Sequence, residues 1–292
     1  MIDLVAQNDI ERLSNDLLKQ SKALDVYPTP VEKIVQCADL VISGSVDLVH
    51  VNESFLSKIP SWLRSIKETV RGILDRKERT IYLDLSQMPS RKNFVTLHET
   101  GHDILPWQRE IMAYLENDQT LDPSTNEEFE AQANYFASGT LFQQDRFNDA
   151  VKMIGTGIDE ARVIGKKFGG SVHATLRRMV EKTNRRFALI VLKPMPKSVV
   201  KCQLRDLFVS PAFEKAFGKI LIPHEFTRDY KFAADYLNGR KMLKDQISTI
   251  PTTSGLHEFQ YQYFNNKYNA FVLIFPKGEQ PKTNTQIIIT RG

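Results

Sequence analysis

Apolar residues recur at helical spacing near the start of the chain. Over residues 9–24, Ile10, Leu13, Leu17, Leu18 and Leu24 fall on one side, predicting a helix that the Tyr-Pro-Thr-Pro stretch at 27–30 ends. A shorter helix is expected from Val31 to about Leu40. From Val70 the period changes. Ile81, Leu83 and Leu85 alternate with Tyr82 and Asp84, and the charged run at 75–79 reads as the turn of a β-hairpin. Helical spacing then returns: Phe94, Leu97, Gly101, Ile104 and Leu105 form an apolar stripe, with Ser90 as its cap and Pro106 as its end.

After an irregular stretch, residues 124–142 predict a further helix, with Ser124 and Thr125 as caps, Thr125 and Glu128 at capping-box spacing, and Phe129, Ala133, Phe136 and Ala137 facing inward. Helical stretches follow at about 146–154 and 158–168. The double glycine at 169–170 then leads into a helix from Val172, so that residues 158–184 have a helix-turn-helix rhythm. The texture changes at Phe187. Runs at 187–193, 258–264, 269–275 and 285–290 are rich in β-formers, residues 194–198 look like a linker, and residues 204–246 are mixed. The pattern predicts an α+β protein of two domains, residues 1–186 mostly helical with a small sheet and residues 187–292 β-rich.

Composition changes this picture little. The 292 residues and 33.5 kDa suffice for two cores, and 41% hydrophobic with 25% charged residues is ordinary for a globular chain. A net charge of +4 is too small to require nucleic acid by itself. The first residues lack the pattern of a secretory signal, and no run approaches the roughly 18 apolar residues of a membrane helix. Two cysteines far apart, Cys37 and Cys202, offer no disulfide framework. A cytoplasmic protein without a membrane partner is expected.

Candidate chemistry lies in the stretch 94–105, Phe-Val-Thr-Leu-His-Glu-Thr-Gly-His-Asp-Ile-Leu. His98 and His102 are four residues apart on a predicted helix and so can reach one ion, with Glu99 beside them. A catalytic zinc takes three protein ligands and leaves a place for water. Glu130 is the candidate third ligand, since it sits beside an inward apolar stripe, and Asn134, one turn on, is placed to orient a ligand. Glu127 and Glu128 read as solvated first-turn acids. In such a site Glu99 takes a proton from the attacking water and passes it to the leaving amine. The hairpin upstream offers an edge along which an extended peptide could lie. For stabilising the oxyanion, Tyr82, Tyr135, His173 and Arg177 stay open.

In order, the stretches 27–42, 79–85, 93–105 and 128–142 resemble the ImmA/IrrE metallopeptidases, over roughly residues 1–186. The resemblance implies a zincin-like catalytic domain with His98, His102 and Glu130 as metal ligands, Glu99 as base and Asn134 beside them. Zinc is the family's metal, although the ligand set alone also accommodates manganese. It further implies a helix-turn-helix repressor as substrate, in a stress, phage-defence, mobile-element or toxin-antitoxin setting, and a GAF-like sensor as a counterpart of residues 187–292. The chain departs from the family at 140–144, Thr-Leu-Phe-Gln-Gln, where leucine, leucine, methionine and proline are frequent. A rival reading is a non-proteolytic regulatory protein that binds a regulator or DNA and keeps a structural or vestigial metal.

Other candidates have plainer readings. Arg177, Arg178 and Lys182 on the second helix of the helix-turn-helix rhythm could touch DNA, but a solvated basic face is the favoured account. His224 and His257 lack metal-ligand spacing and read as structural, and Tyr261, Tyr263, Phe264 and Tyr268 as sheet packing. The substrate's identity and the oligomeric state are not legible.

Overall fold

The computed structural model describes residues 2–43, 72–84, 86–114, 122–194 and 201–283. The chain divides into two compact units, Met1–Phe147 with Lys166–Ser171, and Asn148–Gly165 with Val172–Gly292. It is a mixed α+β protein. No helix among the described residues is long and apolar enough to cross a membrane.

In the first unit, α1 spans Leu4–Gln20 and α2 Val31–Cys37; a small sheet of β1 Val41–Ser43, β2 Gly72–Asp75 and β3 Thr80–Leu83 follows, in the order β1-β3-β2. The expected hairpin is β2 and β3, antiparallel from Gly72↔Leu83 to Asp75↔Thr80. Ile81, Tyr82 and Leu83 are all buried, so β3 is covered on both faces and the expected alternation fails. Residues 70 and 85 lie outside the described residues.

Helix α3, Pro89–Ile104, carries both candidate histidines, and α5, Pro123–Leu141, packs along it. The expected serine caps are not the caps. Met88 precedes α3 with Pro89 in its first turn, and Asp122 caps α5 by accepting from the backbone amides of Ser124 and Thr125. In both helices the proline lacks only an N–H that a first turn leaves unpaired anyway, so the helix opens one residue before the serine. Helix α1 likewise starts earlier than expected, because Asp3 accepts from Val5 and Ala6. The stretch after Pro106, expected to be irregular, begins with a short helix α4, Pro106–Tyr114. Pro106 therefore ends one helix and opens the next.

The inner side of α3 is more polar than its stripe suggested: Thr96, Thr100 and Asp103 are buried, while Phe94 and Ile104 are only partly so. Local bonds make this tolerable. Thr100 donates to the Thr96 carbonyl at 2.8 Å, and Asp103 accepts from Arg79 at 2.7 Å. Arg79 also donates to the carbonyls of Ala38 (2.6 Å) and Asp39 (3.2 Å), tying the hairpin turn to α2 and to the end of α3.

The second unit contains α6 Asp145–Ile154 from Asn148 on, most of α7 Ile158–Phe168, and α8 Val172–Lys182. Its sheet comprises β4 Ala188–Leu192, β5 Cys202–Val209, β6 Glu225–Phe226, β7 Met242–Thr252, β8 Gly255–Asn265 and β9 Ala270–Phe275, in the antiparallel order β6-β5-β4-β9-β8-β7. Helices α9 Pro211–Phe217 and α10 Lys231–Leu237 complete it. Phe213, Phe232 and Tyr236 pack on the face of Ala188, Ile190 and Leu192, while α8 packs against β4 and β5. That two-sided cover explains why β4 and β9 are buried along their whole lengths. The expected strand at 285–290 and linker residues 195–198 lie outside the described residues.

Candidate metal centre

Helical geometry sets His98 and His102 one above the other on α3, turned towards α5. Their rings are perpendicular, with centroids 4.7 Å apart, and the two Nε2 atoms are 3.1 Å apart. Glu130 on α5 faces both, with Oε2 3.2 Å from His98 Nε2 and Oε1 3.5 Å from His102 Nε2. The close approach depends on Gly101, since a Cβ there would lie 3.0 Å from a ring carbon of Phe136 and 3.4 Å from the Ala133 Cα. Among the described residues this trio forms the group of histidine, cysteine and carboxylate side chains able to hold a metal ion.

The donor set fits zinc. Ligand bonds of about 2.0–2.1 Å at tetrahedral angles place ligand atoms about 3.3 Å apart, close to the spacings here. Two imidazoles and one carboxylate, with no thiolate, are a borderline to hard set that suits zinc and tolerates manganese. The histidine side chains are 14% and 13% exposed and that of Glu130 is 49% exposed. Burial works against the charged form of His98, yet Glu130 and the charge of Glu99 outweigh it and raise its pKa. Burial likewise disfavours the Glu130 carboxylate, but hydrogen bonds to His102 and His98 prevail and hold it well below the usual range.

Glu99 lies beside β2. A Cβ on Gly72 would sit 3.3 Å from Glu99 Oε1 and 2.5 Å from Val95 Cγ1, so this strand position accepts only glycine without a shift. Asn134 stands beside His98 and favours its charged form, although His98 Nδ1 completes no hydrogen bond among the described residues. His102 has a clearer partner that sequence reasoning missed: its Nδ1 is 2.8 Å from Gln108 Oε1 on α4. Gln108 in turn contacts Gln132, which donates to Glu128. Glu128 is thus exposed yet bonded, rather than simply solvated.

The residues left open for the oxyanion are otherwise engaged. Tyr82 donates to Glu78 at 2.8 Å, and that carboxylate pushes the phenol pKa up to about 12. Tyr135 donates to Glu11 at 2.5 Å. In the second unit, His173 faces Asp206 at 3.4 Å, and Arg177 pairs with Glu181 while lying over Phe208. Arg178 is buried, whereas Arg177 is exposed beside its partner Glu181. His224 is exposed, and His257 bonds to Ser254 at 2.9 Å.

Residues 49–180 match the family model of the IrrE N-terminal-like domain, Peptidase M78. No curated protein matches the chain. Among solved structures, the fold is similar to one described as a Mycobacterium tuberculosis transcriptional regulator, with a TM-score of 0.53 and 10% identity, over 94% of this chain and 77% of that one. At that identity the likeness concerns the fold alone. The matched span holds the paired histidines, Glu99 and Glu130, so the candidate metal centre lies within the part of the chain that is similar to the IrrE N-terminal-like domain of M78 peptidases.

Proposed function

We propose that the chain is a zinc-dependent endopeptidase that cleaves a helix-turn-helix transcriptional repressor. The observation that carries this reading is the convergence of His98, His102 and Glu130 within 4.8 Å of one another, with the Glu99 carboxylate on the same helix. The three side chains would hold the ion through two Nε2 atoms and a carboxylate oxygen. Zinc bound there supplies Lewis acidity that makes a water nucleophilic near neutral pH. Glu99 would accept a proton from the attacking water and pass it to the departing amine nitrogen. Asn134 stands beside His98, and the bare backbone at Gly72 lets β2 run close beside Glu99.

In this reading residues 1–186 are the peptidase part, and residues 187–292 a GAF-like region that senses a signal or selects the substrate. A six-stranded antiparallel sheet with helices on both faces supports that division of labour. The second reading, a non-proteolytic regulator, draws on the likeness to a protein described as a transcriptional regulator. The deciding experiment compares wild type with Glu99→Gln on a candidate partner repressor. The variant should keep one zinc per chain while cleavage falls by about 100-fold or more. Equal cleavage by both removes Glu99 as base, and repressor inactivation without any cleavage by either favours the regulator.

A further inference from the structure

The hydrogen bonds around Gln108 settle a property of His102 that no hydrogen atom has to be seen to establish. Each amide is oriented by a partner with only one possible role. Trp107 Nε1 can only donate, so the Gln132 atom 2.7 Å away is its oxygen, and Gln132 Nε2 is left to donate to Glu128 at 2.9 Å. The Phe129 carbonyl can only accept, so the Gln108 atom 3.1 Å from it is the nitrogen, which also donates to Gln132 Oε1 at 2.8 Å. The remaining Gln108 atom is its oxygen, 2.8 Å from His102 Nδ1. An amide oxygen cannot donate. Nδ1 therefore carries the hydrogen, and in the neutral ring Nε2 keeps its lone pair on the side of Glu130 and His98.

We propose that Gln108 is a positioning residue that holds His102 as its Nδ1–H tautomer with Nε2 directed at the metal, and that Gln132 and Trp107 hold Gln108 in turn. The proposal rests on the metal-centre reading and extends it to a third helix. Gln108 and Gln132 are buried, at 0% and 3% exposure, where an amide with unfilled sites would be costly. The short corner at Leu105 and Pro106 is what brings α4 back under the ligand helix. A site of two histidines and a glutamate thus depends on a glutamine that neither the histidine motif nor the third-ligand helix contains.

The test uses the full chain and Gln108→Leu, which keeps most of the volume and removes the acceptor. Zinc affinity, measured by chelator competition, should fall about 10–100-fold. Nitrogen NMR of labelled histidine in the metal-free protein, at a pH above the histidine range, should show His102 protonated at Nδ1 in wild type and at Nε2, or at both in exchange, in the variant. A packing role alone would leave the tautomer unchanged. An Nε2–H ring at His102 in wild type overturns the proposal, as does unchanged zinc affinity with an unchanged tautomer in Gln108→Leu. If that variant does not fold, the wild-type spectrum decides, together with Trp107→Phe, which removes the donor that orients Gln132 and should weaken zinc binding less. A wild-type chain that takes up no zinc yet shows Nδ1–H at His102 defeats the functional reading and the metal-directed part of this proposal, and leaves only the Gln108-held tautomer standing.

Discussion

Glu130 is half exposed, whereas the two imidazoles it faces are largely buried. A carboxylate so placed contributes little to the core, and its removal should test the site more than the fold. Glu130→Ala is expected to fold and to lose the roughly one zinc per chain of the wild type, as read by elemental analysis; zinc retained in the variant would place the third ligand elsewhere. The same trio fixes a dependence on pH. Glu130 is depressed below its ordinary 4.5, so its contribution to the metal-free protein is present above that value and is lost as pH falls through the depressed one. His98 is raised above 6.5, so its contribution is complete below 6.5 and is lost as pH rises through the raised value. Metal-free protein should therefore gain most from this cluster between these ordinary values, whereas zinc competes with the same protons and binds more tightly as pH rises. The rise in Tm on adding zinc should grow with pH; a shift that shrinks would contradict the assignment. The approach of His98 to His102 was legible because four-residue spacing on a helix is a local fact. Gln108 was not, since its partner Gln132 is 24 residues away and an amide in a non-periodic stretch carries no signal.

At the scale of elements, the site depends on how closely α3 and α5 approach. Gly101 lies between the two histidines, and its missing side chain is where the helices meet. Replacing it by alanine would gain about 0.5–1 kcal/mol of helix propensity, against a contact of 3.0 Å with the Phe136 ring that must yield slightly. The two effects should nearly cancel. Gly101→Leu cannot be accommodated that way: it should cost about 1–3 kcal/mol by overpacking and weaken zinc binding because α5 carries Glu130. Chemical denaturation and chelator competition on both variants check this, and a leucine variant with wild-type zinc affinity would show that the spacing is not what holds the site. Sequence reasoning placed these two helices correctly but misread their starts. A proline followed by serine looks like a capped start from either side, and only the bonds that Asp122 makes show which residue closes the turn. The α4 helix was missed for a related reason, since Pro106 reads as a stop and is also a good first residue.

Across the whole chain, the α+β class and the order of helices before strands were visible in the change of period. The packing of α6, α7 and α8 was not. These helices belong largely with the later sheet through contacts such as Ile158 N–H to Gln262 Oε1, 104 residues apart, and Arg185 to Thr156. Amphipathic spacing says that a helix has an inner face and nothing about which face it meets. Within the first unit, α5 is held on two sides, by α3 and by α1, where Ser14 and Thr140 share a buried hydrogen bond of 2.9 Å. That arrangement has a consequence in time. The Glu130 helix is packed against both of these helices, so the slow step of metal loss should be the opening of the three-helix layer itself. Backbone amides of Leu17, Phe136 and Ala137 should then be among the last to exchange with heavy water, and under excess chelator the zinc should leave with their time constant. Zinc that departs while those amides stay protected would mean the centre has a door of its own.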